Sequence, residues 1–270
     1  MDRNSPVGFF DSGLGGISVL QQTRKLLPAE NYLYFGDSLH APYGVRSAEE
    51  VTALSVQAAE LLLSEGAKAI VIACNTATSA AAAELRRRYP EVPIIGTEPA
   101  LKPAVERHPG GRILVMATAM TLKEQKFRDL WLQYAEQAEI VPVACTGLME
   151  FVERGQLDGE EVERYLLEKL EPFAKVPVDA VVLGCTHYPF LRPVLRRLLG
   201  KTPEILDGAD GVARQLRRQL EVRELLRQSD CPGKVEFRNS SPEQELLDRS
   251  EMLLKCFFGE QETAACTRNA

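Results

Sequence analysis

The chain has 270 residues, of which 45% are hydrophobic and 26% charged, the profile of a globular enzyme of one or two domains. Its net charge of -6 argues against a general nucleic-acid binder, and no apolar run reaches the ~20 residues of a membrane span. Six cysteines with no Cys-x-x-Cys, and no His pair at metal spacing, predict neither a disulfide framework nor a metal site. No signal-peptide core precedes the first apolar run, so a cytoplasmic protein is expected.

Val7-Gly-Phe-Phe10 reads as a buried strand ending in the turn Asp11-Ser12-Gly13-Leu-Gly15-Gly16, with a helix from Ile17 to about Leu27. The glycines allow a tight turn, and the helix start offers free N–H groups to an anion. The spacing is neither the Rossmann nor the Walker pattern. Tyr32–Phe35 is a second strand, running into a loop with Pro42-Tyr43-Gly44. Ser47 to Ser64 is a helix, opened by a capping box of Ser47 and Glu50. Ala69-Ile-Val-Ile-Ala is a strand that stops at Cys74-Asn75-Thr76, and a helix runs on to Arg88. Pro93–Gly96 is a short strand, and Glu98 to Pro103 a crossover.

The pattern then starts again. Arg112–Ala117 is a strand, Thr118–Thr121 a polar turn and Leu122–Tyr134 a helix. Glu139–Ala144 is a strand, with helices expected over Thr146–Arg154 and Gly159–Phe173. Ala180-Val-Val-Leu-Gly stops at Cys185-Thr186-His187, followed by a helix over Pro189–Leu199 and a strand at Glu204–Leu206. A helix to about Arg227, a strand over Lys234–Asn239 and a helix over Pro242–Phe257 close the chain, with a frayed end from Gln261. The basic runs at Arg86–Arg88, Arg196-Arg197 and Arg217-Arg218 read as solvated helix faces. Strand, turn and helix in parallel order, given twice, predict an α/β fold of two pseudo-symmetric three-layer domains with mainly parallel sheets. A site is expected in the cleft between them.

Two strands that each stop at a cysteine before a helix-like segment suggest two thiols facing one site. A helix N-terminus lowers a thiol pKa from about 8.5, which would favour the reactive thiolate. Two equivalent acid/base groups fit inversion of a stereocentre, one removing the Cα proton and the other returning a proton to the opposite face. Backbone N–H groups at Asn75-Thr76 and Thr186-His187 suit carboxylate oxygens, and the hydroxyls of Ser12, Thr76, Thr118, Thr121 and Thr186 add donors. Asp11 suits an ammonium group or assistance to Cys74, and His187 suits assistance to Cys185. Against these stand plainer roles, a helix cap for Asp11 and a buried, satisfied imidazole for His187. Cys145, Cys231, Cys256 and Cys266 read as structural or inert, and His40 and His108 carry no role.

Five stretches resemble the glutamate racemases, a cofactor-independent family. They are Phe10-Asp11-Ser12-Gly-Leu-Gly-Gly, Gly36-Asp37 with Pro42-Tyr43-Gly44, Cys74-Asn75-Thr76-Ala-Thr78, Glu98-Pro99-Ala100 and Gly184-Cys185-Thr186-His187-Tyr-Pro. The resemblance implies a first domain of residues 1–98 plus 208–270, a second of 99–207, and a homodimer. It implies Cys74 and Cys185 as the two bases, acting on D- and L-glutamate respectively, with Asp11 and His187 as helpers. Asp11, Ser12, Pro42, Tyr43, Gly44, Asn75, Thr76, Thr118, Thr121, Thr186 and His187 would contact the substrate. An acidic helper for Cys185 is expected at Glu153, with Glu150 as the alternative. The product would feed peptidoglycan synthesis, and no cofactor, metal, nucleic acid or membrane is implied. Six residues before the first strand put activation through an N-terminal extension in doubt. The rival readings are an aspartate racemase and a non-catalytic amino-acid binding module. Thr78 and the Cys185-Thr-His187 order favour glutamate, since aspartate racemases tend to show a His two places after Cys-Asn-Thr and a Cys-Thr-Glu second site.

Overall fold

The computed structural model describes residues 2–256. The expectations for Cys266 and for residues 261–270 lie outside that range. Strands β1 (Val7–Asp11), β2 (Tyr32–Gly36), β3 (Ala69–Ile72) and β4 (Ile94–Gly96) come from the first part of the chain. Strands β5 (Arg112–Ala117), β6 (Glu139–Ala144), β7 (Ala180–Leu183) and β8 (Glu204–Asp207) come from the second, and β9 (Val235–Asn239) lies near the end. They form two sheets in the orders β4-β3-β1-β2-β9 and β6-β5-β7-β8, with every pairing parallel. Substituting β5 for β1, β6 for β2, β7 for β3 and β8 for β4 gives the same order twice. The two cysteine-terminated strands, β3 and β7, hold equivalent places.

Helices cover both faces of the first sheet, as fully buried parallel strands require. Neighbouring residues on β1 show it: Phe9 joins one core and Phe10 the other. The helices are α1 (Ile17–Leu26), α2 (Ala48–Ser64), α3 (Asn75–Arg88), α4 (Leu101–Arg107), α5 (Ala119–Lys123), α6 (Gln125–Tyr134), α7 (Leu148–Glu153), α8 (Glu160–Leu170), α9 (Arg192–Leu199), α10 (Ala209–Val222) and α11 (Gln244–Lys255). The expected capping box is present: Glu50 N donates to Ser47 Oγ at 3.2 Å and Ser47 N to Glu50 Oε2 at 2.9 Å. The end of the chain returns to the first sheet. Helix α10 packs on α1, β9 extends the sheet beside β2, and α11 lies on α1 and β9. A buried ion pair of Lys68 and Glu30 at 2.6 Å helps fix that return, because the second Glu30 oxygen accepts the Arg227 N–H at 2.8 Å.

Four segments differ from the sequence pattern. The crossover after β4 contains helix α4, with Pro103 in its first turn, where a missing N–H costs nothing. Thr118–Thr121 is a helix start, not an open turn: Thr118 caps α5 and its Oγ1 accepts the Thr121 N–H at 3.2 Å. Extended backbone at Glu124 then separates α5 from α6. Cys185 is followed by a turn and a 3-10 stretch, Tyr188–Leu191, before α9 begins. Helix α10 stops at Val222, since Glu224 takes a positive φ of 55° and turns the chain.

Candidate active site

A cavity of about 110 Å³ opens where the C-terminal ends of both sheets meet, the usual ligand side of a parallel sheet. Ser12, Tyr43, Cys74, Asn75 and Thr76 line it from the first sheet's loops. Thr118, Thr121, Cys185, Thr186 and His187 line it from the second. Pro42 and Gly44 line it too, so every expected contact but Asp11 is on the wall, and Gly44 stands against Thr118 across the mouth. Among the lining residues there is no Lys or Arg. Apart from the His187 ring, an anion in this cavity meets only uncharged donors such as N–H, amide and hydroxyl groups. Two lining residues, Asn75 and Glu150, carry a buried oxygen without a hydrogen-bond partner, Oδ1 and Oε2 respectively.

Cys74 caps α3, and its sulfur accepts the Ala77 N–H at 3.4 Å while its thiol donates to Ser12 Oγ at 3.7 Å. The helix start was expected to lower this thiol's pKa. Instead burial, reinforced by the Asp11 carboxylate, pushes it up to about 12, and the two polar contacts offset this only in part. Asp11 itself does not line the cavity. It lies behind the wall, fully buried, accepting from Gly13 N at 2.8 Å and from Thr186 Oγ1 at 3.0 Å. Burial, opposed mainly by His187 and the Gly13 N–H, raises its pKa to about 6.

On the other side, Cys185 Sγ lies 3.6 Å from His187 Nδ1, and His187 Nε2 lies 2.6 Å from Glu153 Oε1. The same Glu153 oxygen accepts the Leu14 N–H at 2.7 Å. Burial alone would lower the His187 pKa, but the Cys185 and Glu153 contacts outweigh it and hold the ring well above its ordinary value. Burial alone would raise Glu153, but its bonds to His187 and to the Leu14 N–H outweigh that and hold it low. The contact between them thus favours the charged form of each side chain. Of the two acidic candidates, Glu153 reaches His187, whereas Glu150 stands on the cavity wall.

This pair also explains the glycine-rich turn after β1. The turn does present an N–H to an anion, but the anion is the protein's own Glu153 carboxylate. A Cβ at Gly13 would land on that carboxylate, and one at Gly15 would land on the His187 ring. Two glycines are needed because the side chains of residues 153 and 187 occupy the space.

The family profile described as Asp/Glu/Hydantoin racemase matches residues 16–216. The chain belongs to this family. A glutamate racemase of Clostridium perfringens is 48% identical over 253 residues, covering 94% of this chain and 97% of the relative. Among solved structures, the glutamate racemase of Francisella tularensis in complex with D-glutamate aligns with a TM-score of 0.79 at 26% identity, over 94% of this chain and 95% of that one. The Escherichia coli glutamate racemase in complex with L-glutamate and the activator UDP-MurNAc-ala aligns with a TM-score of 0.79 at 28% identity, over 91% and 95%. The two parallel sheets with flanking helices are the shared fold, and membership makes the chain an isomerase.

In this racemase the sequence pattern missed several wall residues. Cys145, Thr146, Gly147 and Met149 line the cavity, and Cys145, read as structural, is one of three cysteines on the wall. Its thiol is pushed up to about 12 by burial and donates to Val143 O. The position of Cys145 at the end of β6, next to Thr146-Gly147, was the available signal. No sequence pattern announced the bonds between the two halves: Thr186 to Asp11, Leu14 to Glu153, and Ser18 Oγ to Thr186 O at 2.7 Å.

Gly15→Ala should therefore displace the His187 ring and lower turnover by about tenfold or more, at a cost in stability of about 1–3 kcal/mol from the overpacking. Steady-state rates beside a thermal melt check this, and wild-type turnover in the variant would refute the packing argument. Asp11 yields a pH prediction. Between about pH 4 and 6 the folded chain holds a proton at Asp11 that the unfolded chain releases, so its contribution to stability falls as pH rises. Asp11→Asn removes that dependence. The wild-type minus variant unfolding free energy from urea titrations should decline across this window by up to ~3 kcal/mol. A flat difference would mean that Asp11 is ionised throughout.

Proposed function

We propose that this racemase interconverts L- and D-glutamate, with Cys74 and Cys185 as the two acid/base groups. The observation that carries the reading is the pair of buried thiols on one cavity, each at the end of the equivalent strand of its sheet and each with its own polar partners. In one direction the Cys185 thiolate removes the Cα proton, and the Cys74 thiol donates its proton to the opposite face of the carbanion. The product is the enantiomer, and the sulfurs end with their protonation exchanged. The reverse reaction runs with the roles swapped, so the protons balance without pyridoxal phosphate, metal or nucleotide. Burial that raises the Cys74 pKa to about 12 keeps this sulfur protonated, the form the first direction requires.

The surroundings suit an amino acid. The orphan oxygens of Asn75 and Glu150 offer acceptors to an ammonium group, and the hydroxyls of Ser12, Thr76, Thr121 and Thr186 offer donors to carboxylates. His187 and Glu153 assist Cys185, and Asp11 acts on Cys74 from behind the wall. Support for glutamate comes from relatives that are glutamate racemases and from related structures holding D- and L-glutamate. The same kinship supports the rest of the reading: a homodimer in the cytoplasm whose product feeds peptidoglycan synthesis. Residues 1–98 with 208–270, and residues 99–207, are read as its two domains.

Loss of optical rotation from L-glutamate and L-aspartate, without added cofactor, tests the proposal. Wild-type protein should bring glutamate to zero rotation and act far more slowly on aspartate, although one methylene is worth only ~1–3 kcal/mol. Cys74→Ser and Cys185→Ser should each lose about a thousandfold or more, since serine cannot supply a thiolate at neutral pH. Near-normal turnover in either variant would remove that cysteine from the reaction. Faster loss with aspartate would change the substrate, and binding without turnover in the wild type would make the protein a binding module.

A further inference from the structure

Helix α7 ends in a way that leaves one carbonyl over. The last four carbonyls of any helix lack partners within it. Here Arg154 N–H serves Glu150 O, Gln156 N–H serves Phe151 O at 2.8 Å, and Gly155 N–H serves Val152 O at 2.9 Å. Gly155, with φ of 74°, supplies the left-handed residue this ending requires. The remaining carbonyl is that of Glu153, the residue whose carboxylate holds His187. Arg249 Nη1, on α11, donates to it. The second guanidinium arm of Arg249 reaches Glu245, and the side chain is only 18% exposed.

Glu153 is thus held at both ends. Its carboxylate is fixed by the Leu14 N–H and by His187, and its main chain by a guanidinium from the far end of the sequence. The cation complements the negative end of α7 and also lowers the Glu153 pKa. A Cβ on Gly155 would lie 3.6 Å from Arg249 Nε, so the side chain runs directly over the turn that ends α7. A simple solvated helix face would leave this guanidinium in water, as at Arg217, half exposed beside Glu221.

We propose that Arg249 is a positioning residue for the Cys185 half of the site: by anchoring the Glu153 main chain, it sets the reach of the Glu153 carboxylate to His187, and so governs proton transfer at Cys185 but not at Cys74. The role at Cys185 rests on the two-cysteine reading above. The residue lies outside the segment 16–216 matched by the family profile, so the tail that returns to the first sheet takes part in the site without lining it.

Arg249→Met keeps the aliphatic stem and removes the charge and donors, whereas Arg249→Lys keeps the charge. L- and D-glutamate have equal free energies, so any loss of kcat/KM must be the same in both directions; about tenfold is expected for Met. The asymmetry should appear in primary isotope effects with 2-deuterated substrates. If the Cys185 step becomes limiting, the effect rises for L-glutamate, the enantiomer assigned to Cys185, and falls toward unity for D-glutamate. Arg249→Lys should stay near the wild-type pattern. Amide hydrogen exchange over Leu148–Gly155 reads the anchor without turnover and should quicken in Met but not in Lys. Isotope effects that move together for the two enantiomers, or unchanged amide exchange in Met, would overturn the proposal. Failure of the two-cysteine reading would show separately, as no Cα exchange by the wild type, and would remove the role at Cys185 with it.

Discussion

The site depends on an exchange of carboxylates between the two sheets. Asp11 ends a strand of the first sheet, yet it accepts a hydroxyl from Thr186, beside the cysteine of the second. Glu153 follows a strand of the second sheet, yet it accepts an N–H from Leu14 in the turn of the first. Each half thus lends a buried anion to the other. Buried carboxylates are costly unless hydrogen-bonded, so these bonds hold the halves in one register. That register sets the cavity between the ends of β3 and β7, and with it the separation of the two thiols.

The same arrangement makes the two cysteines unlike each other despite their equivalent places. Cys74 faces a serine, a helix N–H and a carboxylate set back behind the wall, in surroundings that keep it a thiol. Cys185 faces an imidazole fixed by the Glu153 carboxyl group. A symmetric fold therefore carries an asymmetric pair, one held as a thiol by burial and one with an imidazole partner. For a reaction between mirror images this asymmetry has no effect on the equilibrium. In the two-cysteine reading proposed above, it would decide only which half of the cycle each cysteine begins. With no Lys or Arg on the wall, the charges of a bound amino acid would be met by oriented donors and acceptors, whose placement again follows from the register.

Much of this was legible because it is local. The parallel strands, their cysteine endings and the capping box follow from short patterns, and so does the repeated order of strand, turn and helix. What stayed hidden was long-range. The turn at residues 13–16 read as a tight bend with N–H groups free for an anion, but the pattern could not say that Gly13 and Gly15 make room for the side chains of Glu153 and His187, or that the anion is Glu153 itself. The thiol at Cys74 was expected to be acidified by its helix, because the helix start is visible in sequence and the depth of burial is not. Burial prevailed. Arg249 lies on an ordinary amphipathic helix, and nothing in its neighbourhood marks a contact with a residue 96 positions away.

The most direct test of the central claim follows the isotope in both pools at low conversion. L-Glutamate would be incubated with the protein in D2O, the reaction stopped early, and the two enantiomers separated for mass analysis at Cα. Two thiols on opposite faces predict deuterium in the D-glutamate formed and protium retained in the L-glutamate recovered, with the mirror result from the other enantiomer. Deuterium entering recovered substrate as fast as product, or original protium carried into product, would mean a single base and contradict the account.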